Sequence, residues 1–490
     1  MWTQLGLKIT EVQLSRPTIA LLAFALLYPL MMSGFFPTPF TDLREHINWG
    51  LNFPFYTWKH PPLQSWAAGI VALTGARDAW GYMIAGQALN ILGGYYVWRA
   101  AREFISAEAG RMAIVLLAGS IFFIAALPTI LLNADQVLFP LWAAIFYYAL
   151  ASLTKDRWRD WILLGVFMGL ALLAKYFSLL IIAGLLVAAL WHAEFRKTFL
   201  NPKFYVAGLI GGILAATNAV PMLLHPEFLH YPLSIVHPEA TILDRLTSQG
   251  VLVWSLVLYL LPALIVLAII AWRREGVSFA APEGPVRRFI VTATIAILIL
   301  TAAVVAGVGI IYAERYSHPI FAATILALLS VASITAPARA GVTRVAVIVW
   351  IVATLGSIGY ALTVVNEPLR EPAPAAADFL RERWAQKYTC GPAFIIGEKR
   401  PAHAVALYYP GVIGLSRNDF SFAQWVDRDR LDRLGLIVIG TPQGAADMAF
   451  PGEFANRTAT EGISLPYRRT WSNQRHTYRY YFVPPRDCAR

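Results

Sequence analysis

The sequence predicts a polytopic α-helical membrane protein that ends in a small extramembrane α/β domain. Of its 490 residues, 58% are hydrophobic and only 14% are charged, and the mean hydropathy is +0.56. Soluble domains carry roughly 25% charged residues, so this composition excludes an ordinary cytosolic protein and a disordered one. Apolar runs long enough to cross a bilayer recur up to residue 365, whereas short helix and strand patterns alternate after residue 377.

The net charge of +11 does not by itself indicate a nucleic-acid partner. Apolar runs separate most of the Lys and Arg residues, so the basic charge is not one continuous patch. Positive charge placed between apolar runs is typical of the inner face of a polytopic membrane protein. We therefore expect membrane lipids as partners and no nucleic acid.

Residues 1–365 form the predicted transmembrane domain, with about 11 helices. Roughly 20 apolar residues span the hydrocarbon core as a helix. The predicted spans are 17–36, 78–98, 112–131, 136–152, 161–174, 176–192, 204–223, 250–272, 289–312, 317–335 and 345–365.

The distribution of basic residues predicts the orientation of these spans. With the N-terminus inside, the inner segments carry 17 Lys and Arg residues, and the outer segments before residue 366 carry six. Because cytoplasmic loops are enriched in Lys and Arg, this bias places the chain after residue 366 on the outer side.

Only Lys175 interrupts the apolar stretch 161–191. A single helix of that length would be about 46 Å long and would place the lysine inside the bilayer, which is costly. It would also move every later loop to the opposite side of the membrane. The sequence therefore predicts two short helices with Lys175 at the outer turn between them.

Residues 37–77 form the predicted first outer loop. Its segment Leu63–Leu73 is apolar but too short to span, and Trp58 and Trp66 near its start favour a helix that lies in the outer interface. Such a helix would bring Lys59 to the depth of the lipid phosphates.

Residues 366–377, rich in Pro and Ala, are the predicted linker to an exported α/β domain at 378–490. The only two cysteines, Cys390 and Cys488, both lie in this domain. Disulfides persist in exported domains, which favours a Cys390–Cys488 disulfide over two free thiols. The helix-like and strand-like patterns are Ala377–Trp384, Ala393–Gly397, Ala402–Tyr409, Leu434–Gly440 and Tyr478–Pro484.

Ionisable residues near a bilayer are costly, so those that persist are functional candidates. Under the predicted topology they gather at the outer helix ends, from segments far apart in the chain. The histidines of the outer loop 224–249 are irregularly spaced and predict no metal site. The carboxylates and cations of this outer rim are Asp42, Arg44, Glu45, Lys59, Asp135, Lys175, Asp244, Arg245, Glu314 and Arg315.

The rim restricts the chemistry that could occur there. The outside of a cell offers no ATP or nucleotide sugar, and the chain has no Walker A motif and no credible dinucleotide fingerprint. A transferase at this position takes its activated group from a membrane-borne donor, and a polyprenyl-phosphate sugar fits because its tail stays in the lipid. A carboxylate can then deprotonate the acceptor hydroxyl, while Lys or Arg stabilises the departing phosphate.

Over roughly residues 15–335 the chain resembles the GT-C membrane glycosyltransferases, in particular family 39 and its relatives. These relatives include aminoarabinose transferases of lipid A, protein O-mannosyltransferases and rhizobial galacturonosyltransferases. The motifs that carry the resemblance are Asp42 after the first span, Lys59-His60-Pro61-Pro62-Leu63, Asn133-Ala134-Asp135, Lys175 at a helix turn, and Arg315-Tyr316.

The resemblance implies a GT-C fold and an inverting transfer from a polyprenyl-phosphate sugar to an envelope acceptor, with lipid A or the lipopolysaccharide core preferred. The implied location is the outer side of a bacterial inner membrane. No cofactor is implied, and a divalent metal is left open. Two other classes of function stay open: a transporter of lipid-linked sugars, and a non-catalytic envelope scaffold. A protein acceptor is the further alternative within the same enzyme class.

By the same resemblance, Asp42 matches the family's catalytic base, and Lys59, Lys175 and Arg315 match cations near the donor phosphate. Many relatives have Asp-Glu at the first-loop site, whereas here the glutamate is Glu45, which would share a helical face with Asp42. The candidate site therefore comprises Asp42, Glu45 and Asp135 for catalysis, and Lys59, His60, Lys175, Tyr176, Arg315 and Tyr316 for the donor, with no metal ligand.

Each candidate also has a purely structural interpretation. Asp42 and Asp135 could cap helices, and Lys59 could extend along the interface to reach the headgroups. His60 could fix the loop by a hydrogen bond, and Arg315 could simply pair with Glu314.

Overall fold

The computed structural model describes most of the chain. The first 26 residues, which include half of the predicted span 17–36, lie outside the described residues, as does 119–131 of the predicted span 112–131. The described residues are 27–118, 132–225, 233–234, 236–272, 276–334, 336–363, 368–416, 419, 423, 426–444 and 461–488.

Most of the described chain before residue 364 is helical, and its only strands among the described residues are a short antiparallel pair, β1 (Val277–Phe279) and β2 (Ala332–Ile334). The helices are α1 (27–35), α2 (Thr41–Gly50), α3 (Leu63–Leu73), α4 (Ala79–Phe104), α5 (Ala107–Ala118), α6 (Ala134–Lys155), α7 (Trp158–Ala174), α8 (Leu179–Trp191), α9 (Ala193–Arg196), α10 (Pro202–Leu224), α11 (Ile242–Trp272), α12 (Gly284–Val308), α13 (Phe321–Val331) and α14 (Ala336–Thr363).

Helix α6 is the centre of this helical region. It packs against α4, α7 and α13, and 89% of its apolar 18-residue stretch is buried. Among the described residues, four helices are long and apolar enough to span a membrane, or five if the bent pair Tyr176–Trp191 and Ala193–Leu200 is one span. The total of about 11 spans stays a prediction. The four helices are Ala134–Lys155, Pro202–Leu224, Gly284–Val308 and Arg339–Thr363.

The predicted helix break at Lys175 is confirmed. Helix α7 ends at Ala174, and Lys175 has an extended backbone, with φ −164° and ψ 133°. A single turn of 3-10 helix, Tyr176–Ser178, leads into α8. The break places the lysine at a helix end, where its charge can find a partner.

The predicted helix Leu63–Leu73 of the first outer loop is also confirmed, and it packs against α2. Gly50 and Gly69 make this close approach possible. A Cβ atom added at Gly50 would lie 2.0 Å from the carbonyl oxygen of Ser65, and one at Gly69 would lie 2.4 Å from that of Gly50. The two backbones therefore touch, which fixes the orientation of α2.

The C-terminal region forms a five-stranded mixed sheet in the order β4-β3-β5-β7-β6. Strands β3, β4 and β5 are parallel, and β7 runs antiparallel to β5 and β6. Strands β3 and β5 are buried throughout, as expected for parallel strands covered on both faces. The elements are α15 (Ala373–Lys387), β3 (Phe394–Gly397), α16 (Lys399–Tyr408), β4 (Ile413–Ser416), α17 (Arg428–Leu434), β5 (Leu436–Gly440), β6 (Glu461–Pro466) and β7 (Arg475–Val483).

The linker prediction for 366–377 is wrong where the structure describes this segment. A 3-10 turn covers Pro368–Arg370, and α15 begins at Ala373. Arg370 and Glu371 are almost completely buried. Prolines can occupy the first turn of a helix, so a Pro- and Ala-rich segment is compatible with a helix start as well as with a linker.

Cys390 and Cys488 form a disulfide with their Cα atoms 5.8 Å apart. It joins the loop after α15 to the chain beyond β7, across 98 residues of sequence. Thr389 reinforces this junction, since its backbone N–H donates to the carbonyl oxygen of Cys488 at 3.1 Å.

Replacing both cysteines with serine is expected to destabilise the C-terminal domain by about 4 kcal/mol, because a cross-link over a loop of this length restricts the unfolded chain. The measurement is thermal unfolding of the full-length protein in detergent, with wild type under reducing conditions as a second sample. Equal unfolding temperatures in all samples would contradict a structural disulfide.

Candidate active site

Helix α2 presents two carboxylates on one face, as the spacing of Asp42 and Glu45 predicts. Lys59, from the loop before α3, joins them. Its Nζ lies 3.1 Å from Asp42 Oδ1 and 2.8 Å from Glu45 Oε2. The helix has no side-chain N-cap hydrogen bond, so Asp42 faces the lysine and does not cap the helix.

A second lysine, which the sequence analysis missed, completes this group. Lys399, the first residue of α16, places its Nζ 2.8 Å from Asp42 Oδ1 and 3.0 Å from Glu45 Oε2. We call Asp42, Glu45, Lys59 and Lys399 the ion quartet. It carries no net charge, and it joins the first outer loop to the C-terminal domain.

The quartet changes the acid–base behaviour of its members. Burial by itself would raise the pKa of Asp42, but the charges of Lys59 and Lys399 outweigh burial and hold that pKa well below its usual value. Burial by itself would lower the pKa of Lys59, but the charges of Glu45 and Asp42 raise it well above its usual value. Both groups are therefore ionised at neutral pH.

Two histidines lie beside the quartet as neutral imidazoles. Burial, reinforced by the charge of Lys59, lowers the pKa of both His46 and His60 well below the usual value. Their rings stack with centroids 5.6 Å apart. The backbone of His60 holds the loop, since its N–H donates to Thr57 Oγ1 at 3.1 Å and its carbonyl accepts from that hydroxyl at 2.6 Å.

A second ion pair joins the start of α6 to the break between α7 and α8. Lys175 Nζ lies 2.9 Å from Asp135 Oδ1 and 4.1 Å from the centre of the Tyr316 ring. Asn133, through a capping box with Gln136, provides the N-cap of α6. Asp135 is therefore not needed as a cap and is available to hold the lysine.

Tyr176 and the aromatic residues of the first loop lie between these two groups. The Tyr176 hydroxyl donates to Asn218 Oδ1 at 2.5 Å, and Asn218 Nδ2 donates to the carbonyl oxygen of Phe55 at 3.2 Å. The charges of Lys59 and Lys175 both contribute to the lowered pKa of His60. Trp49, Trp58, Tyr56, Tyr176 and Met222 pack together in one apolar cluster.

The structure brings Asp42, Glu45 and Lys59 together in one group, and Asp135, Lys175 and Tyr316 in another. Their convergence on a single substrate site stays a prediction. Arg315 lies in the 3-10 helix Glu314–Ile320, but its side chain is outside the described part of the structure, as is that of Glu314. Its contact with a donor phosphate stays a prediction.

Buried polar contacts fix the C-terminal domain against α2. Arg44 is fully buried and pairs with Glu371 at 2.5 Å, and its Nε also donates to the carbonyl of Pro39. Asn48 Nδ2 donates to the carbonyl of His403 at 3.3 Å, and Asn48 Oδ1 accepts from the Gly414 N–H at 2.7 Å. The position of Lys399 is therefore set by a rigid interface.

Asp419 provides a further anchor between the same elements. Its Oδ1 accepts from the indole N–H groups of Trp49, at 2.8 Å, and Trp58, at 2.7 Å. Its Oδ2 accepts from the backbone and hydroxyl of Ser416, and lies 3.0 Å from His403 Nε2.

Three potential metal-ligand atoms, one each from Glu45, His403 and Asp419, lie within 4.8 Å of one another. Such a set could in principle hold a cation. However, Glu45 Oε2 already accepts from two ammonium groups, and both oxygens of Asp419 accept hydrogen bonds. We therefore assign no metal to these residues, and the absence of a metal from the reaction stays a prediction.

Comparison with known proteins agrees with this architecture. The solved structure of ArnT from Cupriavidus metallidurans bound to undecaprenyl phosphate matches with a TM-score of 0.61 at 14% sequence identity. The match covers 94% of this chain and 97% of that one. This chain has the GT-C fold. The predicted resemblance is thereby confirmed at the level of the fold.

A sequence-family model also matches part of the chain. The model for dolichyl-phosphate-mannose-protein mannosyltransferases matches residues 59–220. That range contains Lys59, His60, Asp135, Lys175 and Tyr176 and excludes the rest of the ion quartet. A comparison with curated proteins finds no match.

Arg44→Leu is expected to destabilise the full-length protein by about 3–5 kcal/mol, because it removes the cationic partner of the buried Glu371 carboxylate. The measurement is denaturant unfolding in detergent. Arg381→Leu is the matched control: Arg381 pairs with Asp378, both are about half exposed, and a change below about 1 kcal/mol is expected there. Equal effects of the two substitutions would contradict a structural role for the buried pair.

Proposed function

We propose that this protein is an integral membrane glycosyltransferase that moves a sugar from a polyprenyl-phosphate donor to an acceptor of the cell envelope. The reaction occurs at the outer face of a bacterial inner membrane and inverts the anomeric configuration. The observation that carries the proposal is the pairing of the Asp42 and Glu45 carboxylates with the Lys59 ammonium at the end of an apolar helical domain.

The donor class follows from this placement. Lys59 and Lys175 supply positive charge beside aromatic side chains, which suits a phosphate attached to an apolar chain. The undecaprenyl phosphate bound to the structurally similar ArnT supports a lipid of this kind. The family description of the match to residues 59–220 likewise names a lipid-phosphate sugar.

Asp42 is the proposed general base. Its side chain is 47% exposed, whereas that of Glu45 is fully buried, so only Asp42 can reach an acceptor hydroxyl. Asp42 takes the hydroxyl proton as the acceptor oxygen attacks the anomeric carbon. The bond from that carbon to the phosphate oxygen breaks, and the electron pair leaves with the phosphate, which the lysines stabilise.

Glu45 and Asp135 then have positioning roles. Glu45 holds Lys59, and Asp135 holds Lys175, each at the 2.8–2.9 Å distance of a charge-assisted hydrogen bond. An ammonium group placed beforehand requires less reorganisation when charge develops on the departing phosphate.

The proposed acceptor is a glycolipid, with lipid A or the lipopolysaccharide core preferred. The similarity to ArnT over 94% of the chain, C-terminal domain included, is the support for this choice. The family model names protein mannosyltransferases, so an exported protein is the second candidate acceptor. A transporter fits less well, because transporters bind their substrates near the bilayer midplane and the ionised groups here gather at helix ends.

Asp42→Asn is expected to reduce transfer at least about 100-fold, because a general base contributes that factor or more. The measurement is mass spectrometry of envelope glycolipids from a deletion strain complemented with wild type or with the variant. A sugar should disappear in the deletion, return with wild type and stay absent with Asp42→Asn.

Asp378→Asn is the matched control, because Asp378 is an exposed residue that pairs only locally with Arg381. It should restore the sugar fully. Full restoration by Asp42→Asn at normal expression would refute its role as the base. Unchanged glycolipids in the deletion strain would refute the glycolipid acceptor and direct the same comparison to exported glycoproteins.

A further inference from the structure

The ion quartet has a buried half and an exposed half. Glu45 is fully buried and the side chain of Lys59 is only 8% exposed, so these two neutralise each other away from water. Asp42 and Lys399 are 47% and 34% exposed. An arriving anion can therefore reach Lys399 without separating the buried pair.

The backbone that carries Lys399 is held in place. The carbonyl of its neighbour Arg400 accepts from Arg44 at 3.4 Å, and that of His403, one turn further on, accepts from Asn48. Only the lysine side chain needs to move, and its four-carbon chain is flexible.

The donor-free arrangement is unsuited to base catalysis. Two ammonium groups stabilise the ionised form of Asp42 and hold its pKa well below the usual value, so this carboxylate is a weak proton acceptor. A general base works best when its pKa lies near the working pH. One ammonium group must therefore leave Asp42 before the reaction.

We propose that Lys399, from the C-terminal domain, is a phosphate-binding cation for the lipid-linked donor, and that its exchange from Asp42 to the donor phosphate frees Asp42 to act as base. This inference rests on the proposed function and deepens it. Lys399 takes no part in the proton transfer. Asp42 receives the acceptor proton, the new bond forms between acceptor oxygen and anomeric carbon, and the phosphate leaves paired with Lys399.

The test is the binding of undecaprenyl phosphate to the full-length protein in nanodiscs, with undecaprenol, which lacks the phosphate, as the second probe. Lys399→Met is expected to weaken binding of undecaprenyl phosphate about tenfold, the value of one charge-assisted contact, and to leave undecaprenol binding unchanged. Lys399→Arg keeps the charge and should stay within about threefold of wild type.

A matched control is Lys387→Met, which removes a lysine from an exposed pair with Glu461 in the same domain. It should bind both probes as wild type does. Thermal unfolding checks that each variant is folded, and Lys399→Gln is the replacement should Lys399→Met not fold.

A double-substitution cycle tests the exchange itself. Asp42→Asn removes the competitor for Lys399 and should tighten binding of undecaprenyl phosphate severalfold while abolishing transfer. The gain should largely disappear in the Lys399→Met background, because it depends on Lys399. If the effects of the two substitutions on the binding free energy of undecaprenyl phosphate are additive, the proposed exchange is refuted.

The outcomes separate the two proposals. If wild type binds undecaprenyl phosphate and Lys399→Met binds it equally well, the role of Lys399 is refuted and the proposed function stands. If wild type binds neither probe and transfers no sugar, the proposed function fails.

Discussion

Neutralisation of buried charge is the constraint on which the candidate site of this protein depends. Arg44 and Glu45 are adjacent on α2, and both side chains are completely buried. A buried ion without a partner costs several kcal/mol, so each needs an opposite charge in a defined position. Glu371 supplies it for Arg44, and Lys59 and Lys399 supply it for Glu45. The first loop and the C-terminal region, which are more than 300 residues apart in the chain, are thereby held together.

The same constraint makes the C-terminal domain part of the candidate site. Moving that domain away would strand Arg44 and would break the contacts of Trp49 and Trp58 with Asp419. Buried polar contacts thus fix the domain against the first loop. The contact that we propose to change during the reaction is the partly exposed one between Lys399 and Asp42. Rigid backbone and one mobile side chain are what a preorganised phosphate site requires.

Local patterns accounted for much of the fold and for part of the site. The break at Lys175 followed from the cost of a charge within the bilayer, and the helix Leu63–Leu73 followed from an apolar run too short to span. The shared face of Asp42 and Glu45 followed from helical periodicity. Lys399 had no such signal, because a lysine at the start of a short helix looks like any solvated surface residue. The misassigned linker has a related cause, since composition does not report burial.

The amino-acid sequence by itself determined the apolar helices, the alternation of helix and strand in the C-terminal domain, and the set of ionisable residues at helix ends, because these depend on neighbours within a few residues. Only the tertiary structure decided which charges meet. Lys59 joins Asp42 across 17 residues, Lys175 joins Asp135 across 40, and Lys399 joins Asp42 across 357. Such pairs depend on how the helices pack around α6 and how the sheet domain seats on α2, and no local spacing encodes them.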